Sequence, residues 1–173
     1  MGFEIKITDN SAKVIEQMIK NKNAFLEASG QQIVSFAKQE VTAAGRIDTG
    51  RLRNSLTYVT SAHSGESIRY KTNKEGTVLV DRPVTVTIND EDKVIVGSAT
   101  EYAKWHEYGT GIYASQPGGR RKAWKYYIRD RATGEYKAVW TRGLKPIHFL
   151  KRGMERYQKQ AKALLARYML GKY

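Results

Sequence analysis

The run RIDTGRLRNSL at residues 46–56 contains Asp48-Thr49-Gly50, the tripeptide that carries the catalytic carboxylate of aspartic proteases. That chemistry needs two such loops, so that neighbouring carboxylates share one proton and activate a water. The chain holds one copy, so a homodimer would be required; the VIVG stretch at 94–97 is the nearest thing to a second element. Arg46, Arg51 and Arg53 surround Asp48 in sequence, and cations so close hold a carboxylate ionised instead of letting it share a proton. A structural role accounts for the same residues. Asp48 or Thr49 caps a short helical turn through GRLRNSL, Gly50 relieves crowding, Leu52 and Leu56 face a core, and Arg51 and Arg53 point outward.

Other reactive residue types are sparse. His63, His106 and His148 fall in different expected elements, and His106-Glu107, adjacent on a helix, diverge by about 100 degrees and would not chelate one ion together. No metal site or cofactor is expected. EYAKWHEYGTG at 101–111 suggests a short aromatic helix stopping at Gly109, followed by Thr110 and Gly111. Its glycines do not have phosphate-loop or dinucleotide-fold spacing. With no cysteine, no paired carboxylates and no placeable Ser-His pair, the chain reads as a non-enzyme.

These residues must be positioned by a small set of elements. Between Ser11 and Ala44, Ile15, Met18, Ile19, Leu26, Ile33, Phe36, Ala37 and Ala44 recur at helical spacing. That predicts a helix about 50 Å long, capped by Asp9, Asn10 or Ser11, ended by Gly45 and kinked, if anywhere, at Gly30. Lys22, Ser29 and Glu40 interrupt the stripe and suggest that part of it meets a partner or water. LTYVTS, TVLVD, VTVTI and KVIVGS between Leu56 and Ser98 are strand-like. HSGES, TNKEG and NDED read as the turns of an antiparallel meander, with residues 84–97 as a hairpin. GTGIYASQPGGRRK, 109–122, reads as a mobile loop. AWKYYIRD and EYKAVW around RATG predict a hairpin insertion at about 123–142, with Trp124, Tyr126, Ile128, Tyr136, Val139 and Trp140 as cross-strand candidates. Pro146 opens a last helix that aligns Leu150, Met154, Tyr157, Ala161, Leu164, Leu165 and Tyr168 on one face, opposite Arg152, Arg156, Lys159 and Lys162. The expected fold is α+β: a long N-terminal helix and a C-terminal helix packed on one face of an antiparallel sheet, with an extended loop and hairpin.

The 173 residues make one domain, 1–173, the default, and suffice for a core without staples. With no signal-like start and no long apolar window, the chain is expected to be soluble, made and kept in cytoplasm, with no membrane partner. The net charge of +13 is unevenly placed. Residues 1–110 balance 14 Lys/Arg against 14 Asp/Glu, while residues 111–173 hold 16 cations against Asp130, Glu135 and Glu155. A basic last third suits a polyanion, or is a solvated basic face. GGRRKAWKYY mixes cations with aromatics as single-strand nucleic-acid binders do, yet no nucleic-acid recognition signature is present.

In order, DTGRLRNSL, VGSATEYAKWHEYGTG, a Gly/Arg-rich loop and GLKPIHFLKRGMER resemble the head–tail joining or tail-completion family, the minor tail components, of long-tailed bacteriophages and prophages. The anchors are Asp48, Thr49, Gly50, Leu52, Ser55, Val96, Gly97, Tyr102, Ala103, Glu107, Gly109, Thr110, Pro146, Phe149 and Leu150. They span residue 48 to about 156; the first helix rests on pattern, segment 123–142 aligns with no family feature, and His148 stands where that pattern more often has proline. The resemblance implies a structural virion protein of the neck or upper tail, present in host cytoplasm during assembly. It would form a ring, expected to be a hexamer, between the head connector or head-completion protein and the tail terminator or tail tube. Arg120, Arg121, Lys122, Lys125, Arg152, Arg156 and Lys159 are then the candidate contacts with those partners or, without base reading, with phage DNA. The alternative is a basic module that binds duplex phosphates non-specifically.

Overall fold

A computed structural model describes residues 9–45, 50–63, 65–67, 70–72, 78–80, 84–86, 92–130 and 132–170. Helix α1, Ser11–Ala43, is continuous through Gly30. The Asp9 carboxylate accepts the Ser11 N–H at 2.8 Å, and Gly45 closes the far end in the left-handed region. Its inward side is not the predicted stripe throughout. Ile33 and Ala37 are buried together with Val34, Val41, Ser29 and Gly30, whereas Ile15, Met18 and Ile19 are 57, 53 and 49 % exposed. The cause is length. α4, Phe149–Met169, runs antiparallel to α1 and reaches only as far as Phe25, which meets Tyr168 edge-on at 6.4 Å.

The α1–α4 seam is built from small and polar groups. A Cβ on Gly153 would stand 3.0 Å from the Ala37 nitrogen, so the backbones approach as closely as side chains allow. The Tyr157 hydroxyl donates to Ser29 Oγ at 2.7 Å, and Ser29 donates to the Phe25 carbonyl at 2.6 Å. Glu40 pairs with Arg156 at 3.1 Å and Arg152 at 3.8 Å. Thus Ser29 and Glu40, expected to face a partner or water, instead bind α4. The buried face of α4 is Phe149, Gly153 and Tyr157, while Met154 and Leu165 are exposed.

The strand pairing differs from a meander. β1, Leu56–Val59, pairs with β6, Ile95–Ser98; β2, Gly65–Ser67, with β5, Val84–Val86; and β3, Tyr70–Thr72, with β4, Val78–Val80, all antiparallel. The pairs are nested, so β5 and β6 do not form the expected 84–97 hairpin, and Gly65–Ser67 of HSGES is strand. Local composition marks a strand but not its partner, which tertiary context selects. Most of NDED and the TNKEG turn lie outside the described residues.

α1 packs on β1 and β6, and Val34, Ala37, Val41, Leu52, Leu56, Ala103, Ile147 and Phe149 form the core, with Tyr58, Val96, Tyr102 and Leu150 against it. The α+β fold is therefore as expected, with α1 the main helix on the strands and α4 entering the core through its first turn. The basic, aromatic hairpin forms in the predicted place: β7, Trp124–Arg129, pairs with β8, Tyr136–Thr141.

Gly30 offers a direct check on this packing. A Cβ there would lie 2.6 Å from Cγ and 3.0 Å from Cβ of Tyr58, the stem of the side chain and not its flexible end. Glycine-to-alanine normally favours a helix by about 1 kcal/mol, but overpacking costs about 1–3 kcal/mol. Gly30→Ala is expected to lower urea stability, and the loss should vanish when Tyr58 is also alanine.

Candidate functional site

Most sequence anchors converge on one junction. α2, Arg51–Asn54, begins after Gly50, which occupies the cap position in the left-handed region without a side-chain hydrogen bond. Asp48 and Thr49, the expected caps, lie outside the described residues. Leu52 is buried, whereas Arg51 and Arg53 are half-buried and not fully outward. Buried Ser55 donates to the Leu52 carbonyl at 2.8 Å and shares a 2.6 Å hydrogen bond with Ser98, whose Oγ also accepts the Thr100 N–H. Gly97 lies in β6 opposite Thr57, and Val96 opposite Tyr58.

Tyr102 then precedes α3, Ala103–Tyr108, whose buried residues are Ala103 and Glu107. Glu107, 5 % exposed, accepts the Leu150 N–H at 2.9 Å and the Lys151 N–H at 3.1 Å. A carboxylate from one helix thus satisfies free amides in the first turn of another, where the peptide dipoles favour negative charge. This explains why α4 starts at Phe149 and not at Pro146: the Ile147 N–H is spent on the His106 carbonyl at 2.7 Å, and His148 turns left-handed at φ 57°. The Thr110 N–H donates to the Leu144 carbonyl, and Thr110 Oγ1 accepts the Leu144 N–H, both at 2.9 Å. Pro146 closes on Gly109, where a Cβ would meet its ring at 2.8 Å. Ser98, Leu144 and Gly153 of this framework lie within the motif stretches without being among the anchors, while Ser29 and Tyr157 were visible only as a polar break in the stripe of α1 and as part of the apolar face of the last helix.

Among the described residues no group of three His, Cys, Asp or Glu could hold a metal ion, and no helix is long and apolar enough to cross a membrane. His63 stacks on Tyr58 at 4.7 Å, while His106 and His148 flank the α3–α4 contact.

Several exposed cations and aromatics of the last third lie on the loop and hairpin that spring from this junction. The start of the 109–122 segment is tied down. It makes one 3-10 turn, Gly111–Tyr113, and the Ile112 N–H bonds the Arg142 carbonyl while Ser115 bonds that of Tyr108. Gly119 packs back on it, for a Cβ there would stand 2.6 Å from Ala114 Cβ. Arg120, Arg121, Lys122 and Lys125 are exposed. On β7–β8, Lys125, Tyr127 and Arg129 pair with Trp140, Ala138 and Tyr136, and paired residues share a face. Tyr127, Tyr136 and Trp140 are 65, 70 and 69 % exposed, so this face alternates cations and uncovered aromatics. Arg152 and Arg156 belong elsewhere, since both turn to Glu40, and Arg156 also bonds Gln39 at 2.8 Å; Lys159 is exposed on α4.

At the hairpin tip Lys137, first, and the backbone N–H groups of Ala132 and Thr133 lower the pKa of Asp130 below the ordinary aspartate value. Such a group supports the turn above its unfolded pKa and loses that support as pH falls through the folded one.

Residues 5–109 match the model of a family described as "Bacteriophage HK97-gp10, putative tail-component". No curated protein and no solved structure matches the chain. The matched residues run from before α1 to the end of α3, so the basic loop and hairpin lie beyond them.

Glu107→Ala is expected to cost about 1–3 kcal/mol in urea unfolding, because buried amides lose their acceptor, and Glu107→Gln less, since one oxygen remains. For Asp130, the protection of the Ala132 amide, its exchange rate relative to the intrinsic rate at the same pH, should hold from neutral pH down to the ordinary aspartate range, about 3.9, and fall only below it; Asp130→Asn should remove this loss of protection at low pH.

Proposed function

The chain belongs to the HK97-gp10-like family of bacteriophage tail components, and from that membership we propose that it is a structural protein of the neck or upper tail that joins the tail to the head. It works as an oligomeric ring, a hexamer, between the head connector or head-completion protein and the tail terminator or tail tube. Its chemistry is docking, and it catalyses no reaction.

The observation that carries this reading, beside membership, is the contrast between a locked body and an uncovered arm. α1–α4 and the junction around Glu107 form a framework tied by specific long-range hydrogen bonds, while β7–β8 presents large aromatics and cations to solvent. Uncovered apolar surface rimmed by charge marks interaction sites in soluble proteins. A ring built from heterologous contacts also needs different patches on the two sides of each subunit. The exposed apolar start of α1, with Ile15, Met18 and Ile19, and the hairpin supply two such patches. Arg120, Arg121 and Lys122 form the docking loop.

A second reading is supported by the Lys125–Tyr127–Arg129 face: a module that contacts DNA phosphates without reading bases. It predicts duplex binding by the isolated protein with a steep dependence on log salt.

Electron microscopy of particles assembled without this protein is expected to show filled heads and finished tails that do not join, whereas normal joined virions would overturn the reading. Replacing Arg120, Arg121 and Lys122 together by alanine should reduce joining of heads to tails by about tenfold or more, the scale of a lost hot spot. Unchanged joining would remove the docking role of that loop.

A further inference from the structure

A cavity of about 440 Å³ opens between α3 and the base of the β7–β8 hairpin. Its walls include Lys104, Trp105 and Tyr108 of α3, Gln116 of the loop, and Arg120 and Trp124 where the hairpin begins. No carboxylate lines it. Trp105 and Tyr108 are 49 and 43 % exposed, so aromatic surface within it stays in contact with solvent.

The two cations stand against aromatic faces. The Arg120 guanidinium lies 5.1 Å from the centre of the Trp124 ring, and the Lys104 ammonium 6.0 Å from that of Trp105. Such contacts orient a cation without neutralising it. The shape is held from below by close backbone packing: a Cβ on Gly111 would meet the Trp124 ring at 2.6 Å, and one on Gly119 would meet Ala114 at the same distance. An ordered cavity spares a ligand the cost of arranging the loop.

The occupant must bring both negative charge and an apolar group. Duplex DNA brings only the first to a protein surface, because its phosphates lie outside and its bases are stacked within. A cavity of this size falls in the range that encloses a small ligand or anchor group, about 300–1,000 Å³. A peptide with an aliphatic side chain between acidic residues has both properties.

We propose that this cavity is a docking site for an acidic peptide segment of another virion protein. One apolar side chain enters between Trp105, Tyr108 and Trp124, and flanking carboxylates meet Arg120 and Lys104. The site gives the docking loop proposed above a partner chemistry, and rests on that reading only for where the partner comes from.

The test uses the full chain and a fluorescein-labelled peptide, Glu-Glu-Glu-Leu-Glu-Glu-Glu, followed by anisotropy and tryptophan emission at physiological ionic strength. Exchanging the central Leu for Gly should weaken binding by about tenfold, and Arg120→Ala or Tyr108→Ala by roughly fivefold to tenfold, as for anchor contacts. Lys20→Ala, an equal charge loss on α1, should change it by less than about twofold, the scale of a peripheral charge. Two variants at different walls, each checked for retained helix by circular dichroism, separate a lost contact from a lost fold. Equal binding of the Leu and Gly peptides, or equal effects of Arg120→Ala and Lys20→Ala, would reduce the interaction to bulk attraction and overturn the site. So would a short DNA duplex that binds more tightly than the peptide with the same dependence on Arg120 and Tyr108. Because the measurement needs no virion, its failure leaves the neck assignment to particle morphology.

Discussion

The carboxylate of Glu107 sits on the first turn of α4, and much of the molecule is arranged around that contact. A helix begins with amides that have no partner in the helix itself, and burying them unsatisfied costs more than the helix bonds gain. His148, in the cap position, provides no side-chain hydrogen bond to them. The acceptor comes instead from α3, more than forty positions earlier in the chain. By binding Leu150 and Lys151 there, Glu107 places Phe149, which is fully buried, among Leu52, Leu56 and Ala103. One ionic acceptor thus couples the start of α4, the position of α3 and the closure of the core.

From that anchored end α4 runs back along α1, and the seam is selective as well as attractive. Gly153 on Ala37 permits close approach, Tyr157 on Ser29 satisfies two buried hydroxyls, and Glu40 holds Arg152 and Arg156. A purely apolar seam would tolerate sliding by a turn, whereas displaced polar partners would be left buried without bonds. The polar breaks in the stripe of α1 therefore specify register. Where α4 ends, that specification ends too, and the first turns of α1 present their apolar side chains to solvent.

The same junction supports the exposed part of the molecule. Thr110 and Leu144 bind each other across the two ends of the segment that contains the loop and hairpin, so the arm springs from a closed base. A binding surface mounted on such a base loses less entropy on docking than a free loop would. This suits a tail component that meets other virion proteins in a fixed orientation.

Periodicity alone determined the two long helices, and alternation determined the β7–β8 hairpin, because each depends on neighbours close in sequence. Leu52, Ser55, Ala103, Glu107, Thr110, Phe149 and Leu150 were visible as an ordered series, and the uneven charge was visible from counting. Their jobs were not. That Glu107 caps a distant helix, that Pro146 precedes α4 without opening it, and that Arg156 turns inward to Glu40 are outcomes of long-range geometry. Strand pairing followed the same rule. The β-branched runs announced strands, but the nested order of β1–β6, β2–β5 and β3–β4 was selected by the chain as a whole, since strand propensity carries no address for a partner. Local sequence determined which segments could be helix or strand; only the tertiary structure decided what each polar side chain would satisfy, because a buried donor or acceptor takes whichever partner the closed fold brings within reach.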